Sequence, residues 1–144
     1  HALGGALVDK AIGQAGDVDT ASVQMQTASG KIAVITNSRR ATYGYDQRVE
    51  AFGSEGMAVS ENVRINNATL HREDFTGRGA PLMNFFIDRY ATAFAAEISA
   101  FVDAVETGTA PEVGFEDGRL ALVLAEAALK SVTEGRVVNV SEIG

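Results

Sequence analysis

Alternation is the first pattern this chain presents. Between Asp17 and Thr27, Ala21, Val23 and Met25 alternate with Thr20, Ser22, Gln24 and Gln26, the period-two signature of a strand with one buried face. Ala28-Ser29-Gly30 supplies a short turn, and Lys31 to Ser38 returns carrying Ile32, Val34 and Ile35, which predicts an antiparallel hairpin. Upstream, Ala2 to Gly16 is small and glycine-rich, with a short strand expected at Ala6 to Val8. Downstream, Tyr45, Gln47, Val49 and Ala51 fall on one side of an extended segment, and Asp46, Arg48, Glu50 and Phe52 on the other. Gly53-Ser54-Glu55-Gly56 turns the chain, and Met57 to Ser60 and Val63 to Leu70 read as further strands of an antiparallel meander. His71 to Ala80, polar and carrying Gly77 and Gly79, reads as a mobile loop.

The period changes after Pro81. Phe86, Tyr90, Ala93, Phe94, Glu97, Ile98, Phe101 and Val105 recur at helical spacing as far as Gly108, with Asn84 as the expected N-cap. A second helix is predicted from an Asp117 N-cap through Leu120, Val123, Leu124, Ala127 and Ala128 to Gly135. Val137, Val138 and Val140 then predict a closing strand. This order implies an α+β fold, a mostly antiparallel open sheet with helices packed on one face, in a single domain over residues 1–144. The aromatic row Phe86, Tyr90, Phe94 and Phe101 is expected in the core. Glu97 falls at the shoulder of that stripe.

Composition narrows the class. A chain of 144 residues buries roughly 70% of the surface its unfolded form exposes, enough for a self-sufficient core. With 46% apolar and 22% charged residues, and no apolar run near the ~20 residues of a membrane span, the reading is a soluble domain with no membrane partner. The net charge of −7, with dispersed basic residues, repels a phosphate backbone, so nucleic acid is not an expected partner. Cysteine is absent, which removes disulfides and thiol chemistry. No secretion signal is seen, which makes the cytoplasm the expected location, and the start at His1 rather than methionine reads as a cut or processed end.

The chemical inventory is sparse. No Gly-x-Gly-x-x-Gly opens a βαβ unit and no Walker-type lysine is present, so the chain carries no expected cofactor site and no Rossmann domain. His1 and His71 stand far apart without a companion ligand, so no metal is expected and His71 reads as solvated. No serine sits in a Gly-x-Ser-x-Gly elbow. Arg39 and Arg40 at a strand end either pair with surface carboxylates or touch substrate, the former being favoured. Asp46, Arg48 and Glu50 on one strand face read as an ion-pair ladder. The Thr20, Ser22, Gln24 and Gln26 face is uncharged, which predicts close approach by a second copy and a homo-oligomer formed through the sheet.

A run of short motifs carries a resemblance: Gly-Asp-Val-Asp-Thr-Ala (16–21), Thr-Ala-Ser-Gly (27–30), Asn-Ser-Arg-Arg (37–40), Tyr-Gly-Tyr-Asp (43–46), Phe-Gly-Ser-Glu-Gly (52–56), Asp-Arg-Tyr (88–90), Ala-Phe-Val-Asp-Ala-Val (100–105) and Asp-Gly-Arg (117–119). In this order and spacing they resemble the C-terminal domain of the glucose-fructose oxidoreductase, inositol dehydrogenase and rhizopine catabolism (Gfo/Idh/MocA) family, its inositol 2-dehydrogenase branch in particular. The resemblance implies an enzyme that oxidises a cyclic polyol to a ketone, with NAD bound by an N-terminal domain and a lysine and an Asp/His pair lying upstream of the region matched. No catalytic residue maps onto this chain, since His1 lacks the aspartate its motif requires. What maps is substrate binding by Tyr45, the second tyrosine of Tyr-Gly-Tyr-Asp; the alternative for Tyr45 is packing on a half-buried strand. A second family tyrosine on the long helix falls at Phe94, a departure that removes a hydroxyl. The chain then reads as the substrate-binding and assembly half of a larger enzyme, inactive by itself. The alternatives are a freestanding noncatalytic binding or oligomerisation module, or a dehydrogenase of another sugar or polyol.

Overall fold

The computed structural model describes all residues from 1 to 144, and the chain divides into two compact units, His1–Arg40 with Ala110–Gly144, and Ala41–Thr109.

The first unit is built on a three-stranded antiparallel sheet in which β2 (Thr20–Gln26) lies between β1 (Ala2–Gly5) and β3 (Ile32–Ser38). The alternation in β2 does what its period requires. Residues paired across an antiparallel ladder point to the same side, so Ala2, Gly4, Ala21, Val23, Met25 and Ile35 share one face. The long helix α3 (Phe115–Glu134) covers the β1 end of that face through Val123, Ala127 and Ser131, which are four residues apart and buried. The backbone N–H of Ala2 donates to the Ser131 hydroxyl at 2.9 Å, and that hydroxyl donates to the Arg136 carbonyl at 2.5 Å. The opposite face carries Thr20, Ser22, Gln24 and Gln26 with Leu3, Ile32 and Val34 among them, and holds no charge. Leu3 is 67% and Ile32 75% exposed there.

The strand expected at Ala6 to Val8 is absent, and the reason is Asp19. Its buried carboxylate accepts from the backbone N–H groups of Leu7 at 2.9 Å, Val8 at 2.8 Å and Asp9 at 2.7 Å, and from the Thr20 hydroxyl. Donors spent on a carboxylate cannot join a ladder, and the chain turns instead into the short helix α1 (Lys10–Gln14), capped by Asp9. Burial pushes the Asp19 carboxyl up, but those donors outweigh it and bring the group from the usual 3.8 down to about 2.

The closing strand expected at Val137 to Val140 is also replaced. Asn139 caps a 3₁₀ turn at Val140–Glu142, and the Arg136 fork grips both oxygens of Glu142 at 3.1 and 2.7 Å. The fork, the Asn139 N–H and Lys130 hold the Glu142 carboxyl at about 2 against a usual 4.5. The N-cap of α3 is Gly114 rather than Asp117. Asp117 lies in the first turn and accepts from the Gly114 N–H at 2.8 Å, the job of an acid at the third helical position.

The second unit holds the hairpin β4 (Val49–Gly53) and β5 (Gly56–Ser60), the short pair β6 (Thr69–Leu70) and β7 (Arg78–Gly79), and the helix α2 (Phe86–Thr107). All strand pairs in the molecule are antiparallel, in three small sheets rather than one meander. Val63 to Leu70 runs beside Arg78 to Met83, but the ladder is broken: Pro81 lacks an N–H, and the Asn66 side chain captures the Ala68 N–H at 2.9 Å. What remains is the Arg64 to Leu82 bridge and the β6–β7 pair, so part of the expected loop at His71 to Ala80 is strand. Asn84 does not cap α2; Phe85 occupies that position without a side-chain bond. Both long helices stop at glycines in the left-handed conformation, Gly108 and Gly135.

The aromatic row of α2 is not a core. No residue of this helix is buried, and Phe101 is 63% exposed. Two ribbons of two strands offer too little surface to cover 22 helical residues with apolar positions at Ile98, Phe101, Val102 and Val105. No helix is long and apolar enough to cross a membrane, and no group of three or more His, Asp or Glu side chains is placed to hold a metal ion.

Candidate functional site around Tyr45

The segment Tyr43-Gly44-Tyr45-Asp46-Gln47-Arg48 is tied down from several sides. The Tyr45 N–H donates to the Met83 carbonyl at 2.8 Å, and the Gln47 N–H donates to Asn62 Oδ1 at 2.7 Å. With ladder positions taken by a side chain and a loop, β4 begins only at Val49, four residues later than the alternation implies.

Asp46 is the centre. Its carboxylate receives the Arg48 fork at 2.8 and 3.0 Å, the Asn62 amide at 2.7 Å and the Tyr43 hydroxyl. The Arg48 fork, then the Tyr43 hydroxyl and the Asn62 amide, hold the Asp46 carboxyl well below the usual carboxylate range. The same contact raises the Tyr43 phenol. Of the expected ladder Asp46, Arg48 and Glu50, only the first two pair.

Tyr45 stands half-buried beside this centre. Its ring meets the Tyr90 ring edge-on, centroids 5.6 Å apart and planes at 86°, a favoured quadrupole arrangement. The Tyr90 hydroxyl donates to Gln47 Oε1, its ring contacts Phe94 at 6.0 Å, and the Arg89 guanidinium lies 5.5 Å from its centroid. The Tyr45 hydroxyl beside it, together with burial, raises the Tyr90 phenol. The arrangement sets two phenols and an amide on an aromatic wall, donors and acceptors suited to hydroxyl groups on a ring.

Position 94 is a phenylalanine, and a phenol stands one turn earlier on the same helix, at Tyr90. Sequence placed Tyr90 in an apolar core row and Gln47 on the Tyr45 side of a strand, and assigned neither of them, nor Asn62, to the site. Arg39 and Arg40 lie in the other unit and form no ion pair, against the expectation of carboxylate partners. His71 is exposed, its Nδ1 accepting from the Gly77 N–H at 3.3 Å, and Glu97 is exposed on α2.

A dinucleotide is held where a parallel strand runs through a glycine-rich turn into a helix N-terminus. Every pairing here is antiparallel, so α1, which follows β1, is not entered from a parallel strand, and α2 and α3 start after Phe85 and Gly114. These elements do not form that dinucleotide-binding unit.

Residues 4–140 match the family described as oxidoreductase family, C-terminal alpha/beta domain. The chain is 50% identical to an inositol 2-dehydrogenase of Rhizobium meliloti over 94% of its own length and 41% of that protein. A crystal structure of a probable dehydrogenase from Thermotoga maritima superposes with a TM-score of 0.94 at 46% identity, over 99% of this chain and 43% of that one. A scyllo-inositol dehydrogenase from Lactobacillus casei, solved with bound NAD(H) and scyllo-inositol, gives 0.86 at 26% identity, over 97% and 41%. The chain therefore spans about two fifths of the length of the relatives it matches.

Proposed function

The chain belongs to the Gfo/Idh/MocA oxidoreductase family as its C-terminal alpha/beta domain, and from that premise we propose that residues 1–144 act together as the substrate-binding and assembly half of an NAD-dependent enzyme. The substrate is a cyclic polyol of the myo-inositol type, oxidised to a ketone, and the enzyme is a cytoplasmic homo-oligomer. The observation that carries the reading is Tyr45, half-buried on an aromatic wall with the Tyr90 phenol and the Gln47 amide beside it. Inositol 2-dehydrogenase activity in the Rhizobium meliloti relative supports the substrate class, and NAD(H) bound to the Lactobacillus casei structure supports the cofactor.

In this division of labour the chain presents, orients and desolvates the polyol, while NAD and the base for the hydroxyl proton come from elsewhere in the protein. A hydroxyl that binds ground state and transition state alike lowers KM without raising kcat. Tyr45→Phe in the intact enzyme is therefore expected to raise KM for myo-inositol about tenfold, the value of one hydrogen bond of about 1.4 kcal/mol, with kcat little changed. Steady-state kinetics with NAD decide it; an unaltered KM removes Tyr45 from the site. NADH production by residues 1–144 alone would overturn the division itself.

Assembly is assigned to the uncharged sheet face of Thr20, Ser22, Gln24 and Gln26 with Leu3, Ile32 and Val34. Apolar residues interleaved with amides and hydroxyls on an open sheet suit a second copy of the same face. Val34→Glu, which sets like charges against each other across such an interface, is expected to lower the molar mass measured by light scattering to that of a monomer. Monomers alone from the unsubstituted protein at high concentration would remove the assembly role.

A further inference from the structure

We propose that a cleft of the Ala41–Thr109 unit, lined by Arg48, Arg64 and Arg78 and adjoining the Asp46 centre, binds a small ligand through an oxyanion, a phosphate ester or a carboxylate. The proposal does not rest on the oxidoreductase reading. The cleft has a volume of about 780 Å³ and is walled further by Tyr43, Glu61, Asn62 and Gly79 to Leu82.

Its guanidinium groups are not equivalent. Arg48 is engaged by Asp46. Arg64 and Arg78 have no carboxylate within ion-pairing distance, in a chain whose net charge is −7. A guanidinium carries five N–H donors. Arg64 gives one bond to the Ala80 carbonyl, and Arg78 gives none to the protein.

Both groups are nevertheless held in place. The Arg64 guanidinium lies against the bare Cα of Gly79, where a Cβ would come within 3.0 Å of Nη1 and 3.1 Å of Cζ. Arg78 lies 5.7 Å from the centroid of the Phe75 ring, a cation over an aromatic face. Positioned forks with unspent donors are what bidentate recognition of a carboxylate or phosphate needs. The rest of the polar wall is committed, since the Tyr43 hydroxyl and the Asn62 amide both serve Asp46. Glu61, which forms no ion pair, is the one carboxylate that competes for the site.

Calorimetric titration of the intact protein with inorganic phosphate and, separately, with acetate tests this, each repeated in saturating myo-inositol. Saturable binding of either anion that persists with myo-inositol present is expected, and the anion bound identifies the source. Arg78→Gln and Arg64→Gln should each weaken it about tenfold, and Glu61→Gln should tighten it. Gly79→Ala removes no charge and should still weaken it several-fold by displacing the Arg64 fork, while Arg119→Gln, in the other unit, should leave it unchanged. If Arg64→Gln fails to fold, Arg78→Gln and Gly79→Ala decide. Heats no larger than dilution, or equal affinity in Arg78→Gln, Gly79→Ala and the parent, would overturn the proposal.

Discussion

Gly44→Ala is expected to lower the melting temperature of this domain by about 10 °C or more and, on the proposed function, to raise KM for the polyol in the intact enzyme. Gly44 sits at φ 127°, a backbone conformation that side chains with a Cβ rarely adopt. Space is short as well: a Cβ there would lie 2.7 Å from Leu82 Cβ and 3.1 Å from the Met83 carbonyl oxygen. Neither neighbour is the loose end of a flexible side chain, so the backbone must move. The Met83 oxygen is also the acceptor of the Tyr45 N–H, so displacing it breaks the bond that places Tyr45, the proposed substrate contact. Strain and overpacking together cost about 3 kcal/mol, which at ~2.1 cal/mol/K per residue is roughly 10 °C for a chain of this length. Differential scanning calorimetry and steady-state kinetics check it. A variant as stable as the parent with the same KM would mean that the turn between the tyrosines tolerates a side chain and does not position Tyr45.

The contrast between Gly44 and Gly79 separates two uses of a missing Cβ. At Gly44 the obstruction is another Cβ and a backbone carbonyl, so substitution acts on the fold. At Gly79 it is the end of an arginine, so substitution acts on where that arginine rests.

Local signals were legible in the sequence. The β2–β3 hairpin follows from alternation around Ala28-Ser29-Gly30, and both long helices stop at the glycines that end their periodicity. What failed depended on which side chain claims a backbone donor, near or far. Ala6 to Val8 has the composition of a strand, yet its donors go to a carboxylate ten or more residues away. Val137 to Val140 is β-rich, but Arg136 and Asn139 close a turn over Glu142. Asp117 was displaced by three positions because an acid suits the N-cap and the first turn alike. At the candidate site, Tyr45 was legible through its motif, whereas Gln47 and Tyr90, bonded across 43 residues of sequence, were not. The aromatic row on α2 shows the limit of periodicity: it reports which face is apolar and says nothing of what covers it.

Asp46→Ala is the second large effect expected. It leaves the Arg48 fork, the Tyr43 hydroxyl and the Asn62 amide without their common acceptor. The side chain is 18% exposed, so water recovers part of the loss, and the cost is about 2 kcal/mol, or roughly 7 °C. Asn62 also receives the Gln47 N–H, and Gln47 receives the Tyr90 hydroxyl, so freeing Asn62 loosens the wall against which Tyr45 rests. The acid limb gives an independent reading. A carboxyl whose folded pKa lies below its unfolded value contributes stability that is complete above the unfolded value and is lost as pH falls toward the folded one. Asp46 is depressed, and Asp19 and Glu142 fall to about 2 from 3.8 and 4.5, so stability should decline from about pH 4.5 downward toward 2. Asp46→Ala should decline less steeply across that window, because one of the titrating groups is gone. Melting temperatures measured from pH 7 to pH 2 test both halves, and an Asp46→Ala variant with the parent's melting point and the parent's acid slope would show that the Tyr45 segment is held by its backbone bonds alone.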